Sequence, residues 1–251
     1  MSGHSHSANI KHKKAAVDNK RGKMWSKLSK AIIVAAKMGG GDPDSNIRLR
    51  TAIIDARAVS MPKENIERAI KKGTGELDGG NVEEVVYEGY GPGGAAIMVD
   101  VMTDNRNRTA PEMRKLFEMN GGKLGAANCV AWMFERKGLF VFPAAQVSED
   151  RLMEVALEAG ADDVQQQGDK FEVTCPPDAY AAVGEAFEAA GIAAESKQLT
   201  RLPTSSVDLS VDDARRMLKL METLDDHDDV QNVSSNFNIP DAIMAELEAA
   251  K

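Results

Sequence analysis

The sequence is poor in cysteine, has no long apolar run and carries no recognisable catalytic signature. Only Cys129 and Cys175 occur in 251 residues. They lie far apart in apolar surroundings, which reads as reduced, buried thiols rather than a disulfide or a metal site. No apolar stretch approaches the roughly 20 residues needed to cross a bilayer. Residues 1–19 are polar and basic with no apolar segment behind them, so no secretory signal is expected. Asp18 and a low arginine content argue against an organellar transit peptide. No Ser/His/Asp or Cys/His arrangement has a local signature, and no Lys-Ser/Thr pair follows a glycine-rich stretch. These absences predict a cytoplasmic protein without enzymatic activity, cofactor or membrane partner.

Three features that could suggest chemistry have plainer readings. Gly89 to Gly94 fits G-x-G-x-x-G, but a dinucleotide site needs a following helix. Here Ala95 to Val101 is β-rich, so the glycines predict a hairpin turn. His4, His6 and His12 have no cysteine or carboxylate set to close a metal site around them. His227 sits within Asp225-Asp226-His227-Asp228-Asp229, which lacks the glycine and terminal glutamate of a calcium loop and reads as a solvated acidic turn.

What the chain does have is segregated charge. The net charge is −8, yet residues 1–75 hold 16 Lys and Arg against 6 Asp and Glu, and the remainder holds 15 against 33. A basic module of +10 is thus joined to an acidic body of −18. Basic modules concentrate polyanions, while an acidic body favours solubility and limits where a polyanion can lie. Hydrophobic residues at 43% and charged residues at 28% indicate a globular chain.

Periodicity predicts an α+β multidomain protein. Met24, Leu28, Ala31, Ile32 and Ala35 form a helical stripe over about 18–38, which Gly39-Gly40-Gly41 ends. Ser45 is placed to cap a second helix, and Pro62 to open a third. These make a basic arm and three-helix bundle, residues 1–75. Glu83 to Glu88 and Ala95 to Thr103 predict a β-hairpin, and Thr109 with Glu112 a capping box opening a helix through Met119. A further β-rich run is expected at Val130 to Phe134. Residues 137–205 read β-α-β-β-α-β, the ferredoxin-like order. The helix Val211 to Leu224 and the strand Val230 to Phe237 are too little for a domain. They are expected to return to the first sheet, giving a discontinuous α/β domain of 76–136 plus 206–251 with the ferredoxin-like domain inserted in it.

Two candidate sites follow. Lys20, Lys23, Lys27 and Lys30 recur at spacings of three and four, with Arg21 beside them, so their ammonium groups share one helix face. Like charges at these spacings repel, and a phosphate backbone would relieve them while releasing counterions. Lys11, Lys13 and Lys14 extend the face onto the arm. Lysine contacts phosphate as a point charge, so weak sequence selectivity is expected. The second candidate is Asn105, Arg106, Asn107 and Arg108, at a strand end before a helix N-terminus, where phosphate oxygens are favoured. The alternative is that Asp104 caps and the arginines pair with the acidic body.

Ser2-Gly3-His4-Ser5, Ala8-Asn9-Ile10-Lys11-His12-Lys13-Lys14, Lys20-Arg21-Gly22-Lys23, Gly39-Gly40-Gly41-Asp42-Pro43, Tyr87 to Gly94, Thr103 to Thr109, Leu157 to Ala161 and Asp228-Asp229-Val230-Gln231 resemble the YebC/PmpR family over almost the whole chain. Because the motif begins at residue 2, the resemblance leaves no room for a transit peptide. It implies three domains, an N-terminal helical bundle and two α/β domains, one inserted in the other. It also implies a regulator of gene expression. Bacterial members are DNA-binding transcriptional regulators, mitochondrial relatives activate translation, and some bacterial members act on ribosomes stalled on proline-rich chains. The expected partner is therefore DNA, with ribosomal RNA and the ribosome as the alternative; a protein–protein adaptor is a third reading. His6-Ser7 departs from the Lys-Trp common in the family, removing a cation and an aromatic that could stack on a base. Trp25 could supply an aromatic nearby, though its spacing suits the bundle core equally.

Overall fold

The computed structural model describes residues 21–249, and among them are eight α-helices and two four-stranded antiparallel sheets. Helix α1 (Arg21–Gly39) is flanked on both sides by α2 (Ile47–Ala58) and α3 (Lys63–Thr74), so Ile32 to Ala36 are buried all round. Gly40, at φ 85°, ends α1 in a conformation that only glycine adopts without strain. The α2 cap is Asn46 rather than the expected Ser45. Its Oδ1 accepts from Leu49 N at 3.1 Å while its Nδ2 donates to Ala35 O and Gly40 O, both at 2.8 Å. One buried amide therefore caps α2 and ties it to the end of α1. Pro62 precedes α3 as expected, and Gly73 lies where any Cβ would collide with the Ile33 carbonyl, so α1 and α3 pack closely. Trp25 packs against the bundle core and donates its indole N–H to Val59 O.

Strands β1 (Glu83–Tyr90) and β2 (Ala96–Thr103) form the expected hairpin, with Gly93 and Gly94 both at positive φ in its turn. The sheet order is β3-β1-β2-β9, where β3 is Lys123–Leu124 and β9 is Val230–Ser235. Helices α4 (Arg106–Met119) and α7 (Val211–Asp225) cover one face, burying Met113, Phe117, Met217, Leu220 and Leu224 against Ile97, Val99 and Val101. Val82 and Met102 instead join the bundle core, so the bundle docks at this end of the sheet. Two short strands, β8 (Val207–Asp208) and β10 (Phe237–Asn238), pair in parallel, and α8 (Asp241–Ala249) follows.

The second sheet contains β4 (Phe134–Pro143), β5 (Asp163–Gln167), β6 (Lys170–Cys175) and β7 (Ser196–Pro203), in the order β5-β6-β4-β7. That is the ferredoxin-like arrangement. Helices α5 (Glu149–Glu158) and α6 (Tyr180–Ala189) pack on one face over Phe140, Phe142, Phe171 and Val173, with α6 contributing Phe187. Phe187 meets Phe142 edge to face at 4.6 Å. The β-rich run expected at Val130 to Phe134 is mostly a single 3-10 turn, Ala131–Met133, with β4 starting at Phe134. Cys175 is buried and Cys129 half-buried, and both are free thiols. Burial pushes Cys175 up to about 11, so it is an inert thiol. No helix among the described residues is long and apolar enough to cross a membrane.

Candidate nucleic-acid interface

The lysine face of α1 has a partner inside the protein. Lys23, Lys27 and Lys30 lie on one side of the helix, as their spacing predicts, and all three reach the acidic loop between α7 and β9. Lys23 Nζ donates to Asp226 O at 3.2 Å, Lys27 Nζ to Asp225 O, and Lys30 Nζ to Asp228 O at 3.1 Å and to the Asp229 carboxylate. The cause lies in α7. The last carbonyls of a helix have no partners within it and carry the negative end of its dipole. Helix α7 has no basic residue in its own last turn, and Asp225 and Asp226 add to the negative charge there. The lysines of α1 supply the missing cations. Two clusters that would each repel themselves neutralise one another.

Asp229 is the centre of this clasp. It is 2% exposed. One oxygen takes Lys30, and the other takes Arg108 Nη2 at 3.0 Å and lies 2.8 Å from Thr109 Oγ1. Burial alone would raise its pKa, but hydrogen bonds from Lys30, Thr109 and Arg108 hold it well below the usual carboxylate range. His227 is not the solvated residue its acidic neighbours suggested. Asp229 N–H donates to its Nδ1 at 3.1 Å, which leaves the ring proton on Nε2, 3.1 Å from Glu112 Oε2.

The second predicted site opens onto the same place. Asn105 caps α4 by accepting from Arg108 N at 3.1 Å, so the helix starts three residues before the expected capping box. Thr109 has its hydroxyl buried between Thr103 and Asp229, where it cannot cap. Arg106 lies 3.8 Å from Glu83, and Arg108 pairs with Asp104 and Asp229. The arginines thus meet acidic groups, with Asn105 rather than Asp104 as the cap, and Asn107 is exposed. Lys23, Lys30 and Arg108 line one cleft of about 490 Å³ with Asp104, Glu112 and Asp226 to Asp229. Lys11, Lys13, Lys14 and Lys20 lie outside the described residues, and of Arg21 only the backbone is described.

Glu112, His227 and Asp229 each place a donor atom within 4.8 Å of the others, a spacing that could suggest a cation site. The donors do not fit one. Both Asp229 oxygens are already taken by Lys30, Arg108 and Thr109, and Arg108 Nε lies 4.0 Å from Glu112. A dication there would face two fixed cations.

The N-terminal family model, described as the TACO1/YebC protein N-terminal domain, matches residues 5–76, and that of the TACO1/YebC second and third domain matches 82–237. The chain belongs to the TACO1/YebC family. A "Probable transcriptional regulatory protein" of Rhodopirellula baltica is 58% identical over 98% of this chain and 100% of its own. One with the same description from Desulfatibacillum aliphaticivorans is 57% identical with the same coverage. The crystal structure of a conserved hypothetical protein from Aquifex aeolicus aligns with TM-score 0.83 at 51% identity, covering 92% of this chain and 96% of that one. Within this TACO1/YebC chain, Asp229, the single buried member of an acidic run, is the element of the site that was not singled out from sequence. Away from the site, Trp132 is 72% exposed on the turn before β4.

Proposed function

We propose that this protein is a nucleic-acid-binding regulator of gene expression, acting on DNA as a transcriptional regulator through the basic N-terminal module. The observation that carries the reading is the face formed by Lys23, Lys27 and Lys30, which grips an array of carbonyl and carboxylate oxygens. A phosphate backbone offers the same kind of oxygen array. The relatives' shared description as probable transcriptional regulatory proteins, over the full length of the chain, supports the same reading.

On this reading the loop at 225–229 stands in for phosphate, and bound nucleic acid competes with it. Duplex binding should weaken steeply with salt, since each phosphate contact releases a counterion. A flat plot of log K against log salt sinks the proposal. The triple variant Asp225→Asn, Asp226→Asn, Asp228→Asn should bind duplex DNA about tenfold more tightly, measured by anisotropy at fixed salt. The variant leaves the backbone carbonyls in place, so unchanged affinity would mean that the charge of this loop does not compete with nucleic acid for the lysine face. Sucrose-gradient sedimentation at physiological salt separates this reading from a ribosome-bound translation factor, which alone would co-migrate with ribosomal subunits.

A further inference from the structure

A tryptophan ring carries a large apolar surface, and Trp132, which is 72% exposed, is held in water by a built support. The loop from Gly125 to Met133 wraps around the carboxylate of Glu88, which is 5% exposed. Glu88 accepts from Asn128 N at 2.7 Å and from Val130 N and Ala131 N at 2.9 Å each. Gly125 N donates to Glu88 O at 2.7 Å, and a Cβ on Gly125 would meet the Cys129 sulfur, so the loop packs closely on itself there. Asn128 takes the left-handed conformation at φ 64°, and Val130 is fully buried beneath.

Two aromatic rings are tied to the top of this loop. Trp132 Nε1 and the Tyr90 hydroxyl both donate to Cys129 O at 3.2 Å. Sharing one acceptor keeps their polar tips close together, and it satisfies each ring's single donor while its apolar body stays exposed. Tyr90 is 38% exposed. Across the β1–β3 ladder Tyr90 faces Lys123, which is exposed and has no ion-pair partner among the described residues. The buried Glu88 adds no acidic surface, and Glu135, just beyond the turn, lies toward Lys137 at 3.8 Å.

A rigid, partly paired aromatic platform with a free cation beside it matches the chemistry of an unpaired nucleobase and its phosphate. Any base has a π face for the indole, and the ammonium group takes the backbone charge. We infer that Trp132 and Tyr90 stack on an unpaired base of single-stranded nucleic acid, with Lys123 on its phosphate. This rests on the nucleic-acid reading above and adds a second contact point, separate from the lysine face.

The test uses the full-length protein, with dye-labelled 12-nucleotide single strands of RNA and of DNA, and the matching duplex. Binding is followed both by oligonucleotide anisotropy and by tryptophan fluorescence. The single strands should quench the wild-type emission. In Trp132→Phe, where Trp25 is the remaining emitter, that quenching should vanish while most of the affinity stays. Trp132→Ala should weaken single-strand binding about tenfold and leave duplex binding unchanged. Because the side chain is mostly exposed, neither variant should impair folding, which circular dichroism checks. Quenching by RNA alone would assign the base to RNA, and quenching by both strands to any unpaired base. If the single strands bind without quenching, or Trp132→Ala binds them as tightly as wild type, the platform serves something else, such as a protein, and this inference falls alone. If the wild type binds no nucleic acid at all, the functional reading falls with it.

Discussion

Two buried carboxylates in different parts of the molecule respond to burial in opposite ways. Asp229, between the bundle and the first sheet, is 2% exposed, and Glu172, on β6 of the second sheet, is 6% exposed. Asp229 has Lys30, Arg108 and Thr109 around it and is held below the usual carboxylate range. Glu172 lies opposite Val141 and Gln165 across its two ladders, and its Oε1 has no hydrogen-bond partner among the described residues. Burial pushes its pKa up to about 7, against the weaker pull of Lys170. Burial penalises both charges alike, and the donors around each decide which form the fold keeps.

The largest expected effect comes from breaking the paired carboxylate. Asp229→Ala leaves Lys30 and Arg108 facing a partner that is gone, and should cost about 3–5 kcal/mol in urea unfolding at pH 7. Glu172→Leu should do the reverse. It replaces an unpaired buried carboxylate with an apolar side chain beside Leu139 and Val141, and at pH 8 it should stabilise by about 2 kcal/mol. The pH dependence sharpens the contrast. The raised pKa of Glu172 means that the folded state keeps a proton that the unfolded chain has lost. Wild-type stability should therefore fall as pH rises from about 4.5 to about 7, and this slope should be missing in Glu172→Leu. The depressed pKa of Asp229 works the other way: its contribution is complete above about pH 4 and is lost as pH falls below that. The difference between wild type and Asp229→Ala should shrink only there. The smallest effect is expected at the rim of the clasp. Lys23→Ala, at a half-exposed pair 3.8 Å from Asp226, should cost less than about 1 kcal/mol and be masked by salt.

The arrangement of helices and strands was legible because their periodicities were strong. The β-α-β-β-α-β order fitted the ferredoxin-like arrangement, and the stretch after residue 206 was too short to stand alone. Local competition between neighbours was harder to read. Ser45 and Asn46 are both good caps, and Asn46 prevails because its amide also has two carbonyls to satisfy at the end of α1. Thr109 and Glu112 match a capping pattern, but a cap at Asn105 frees the Thr109 hydroxyl for Asp229. Helix α8 was missed, although Ile243, Met244 and Leu247 have helical spacing and pack on the first core.

At the site, spacing showed that the α1 lysines share a face. What lies opposite them, nearly 200 residues further along, has no local signature. The acidic run reads as a solvated turn, and nothing within it marks Asp229 as the buried member. Trp132 gave no sign either, since exposure depends on which way a turn leaves a sheet.

The pairing of β4 with β7 also bears on how the chain folds. Phe134 lies opposite Pro203, so the excursion that builds the second sheet leaves and returns at one point. Strand β9 must find β2 across well over a hundred intervening residues, as in Ile97 opposite Ser235. If the excursion folds first, it acts as a short crosslink and roughly halves the effective loop. That lowers the entropic cost of closure by about 0.6 kcal/mol and lets the most distant strand pairing follow a more local one.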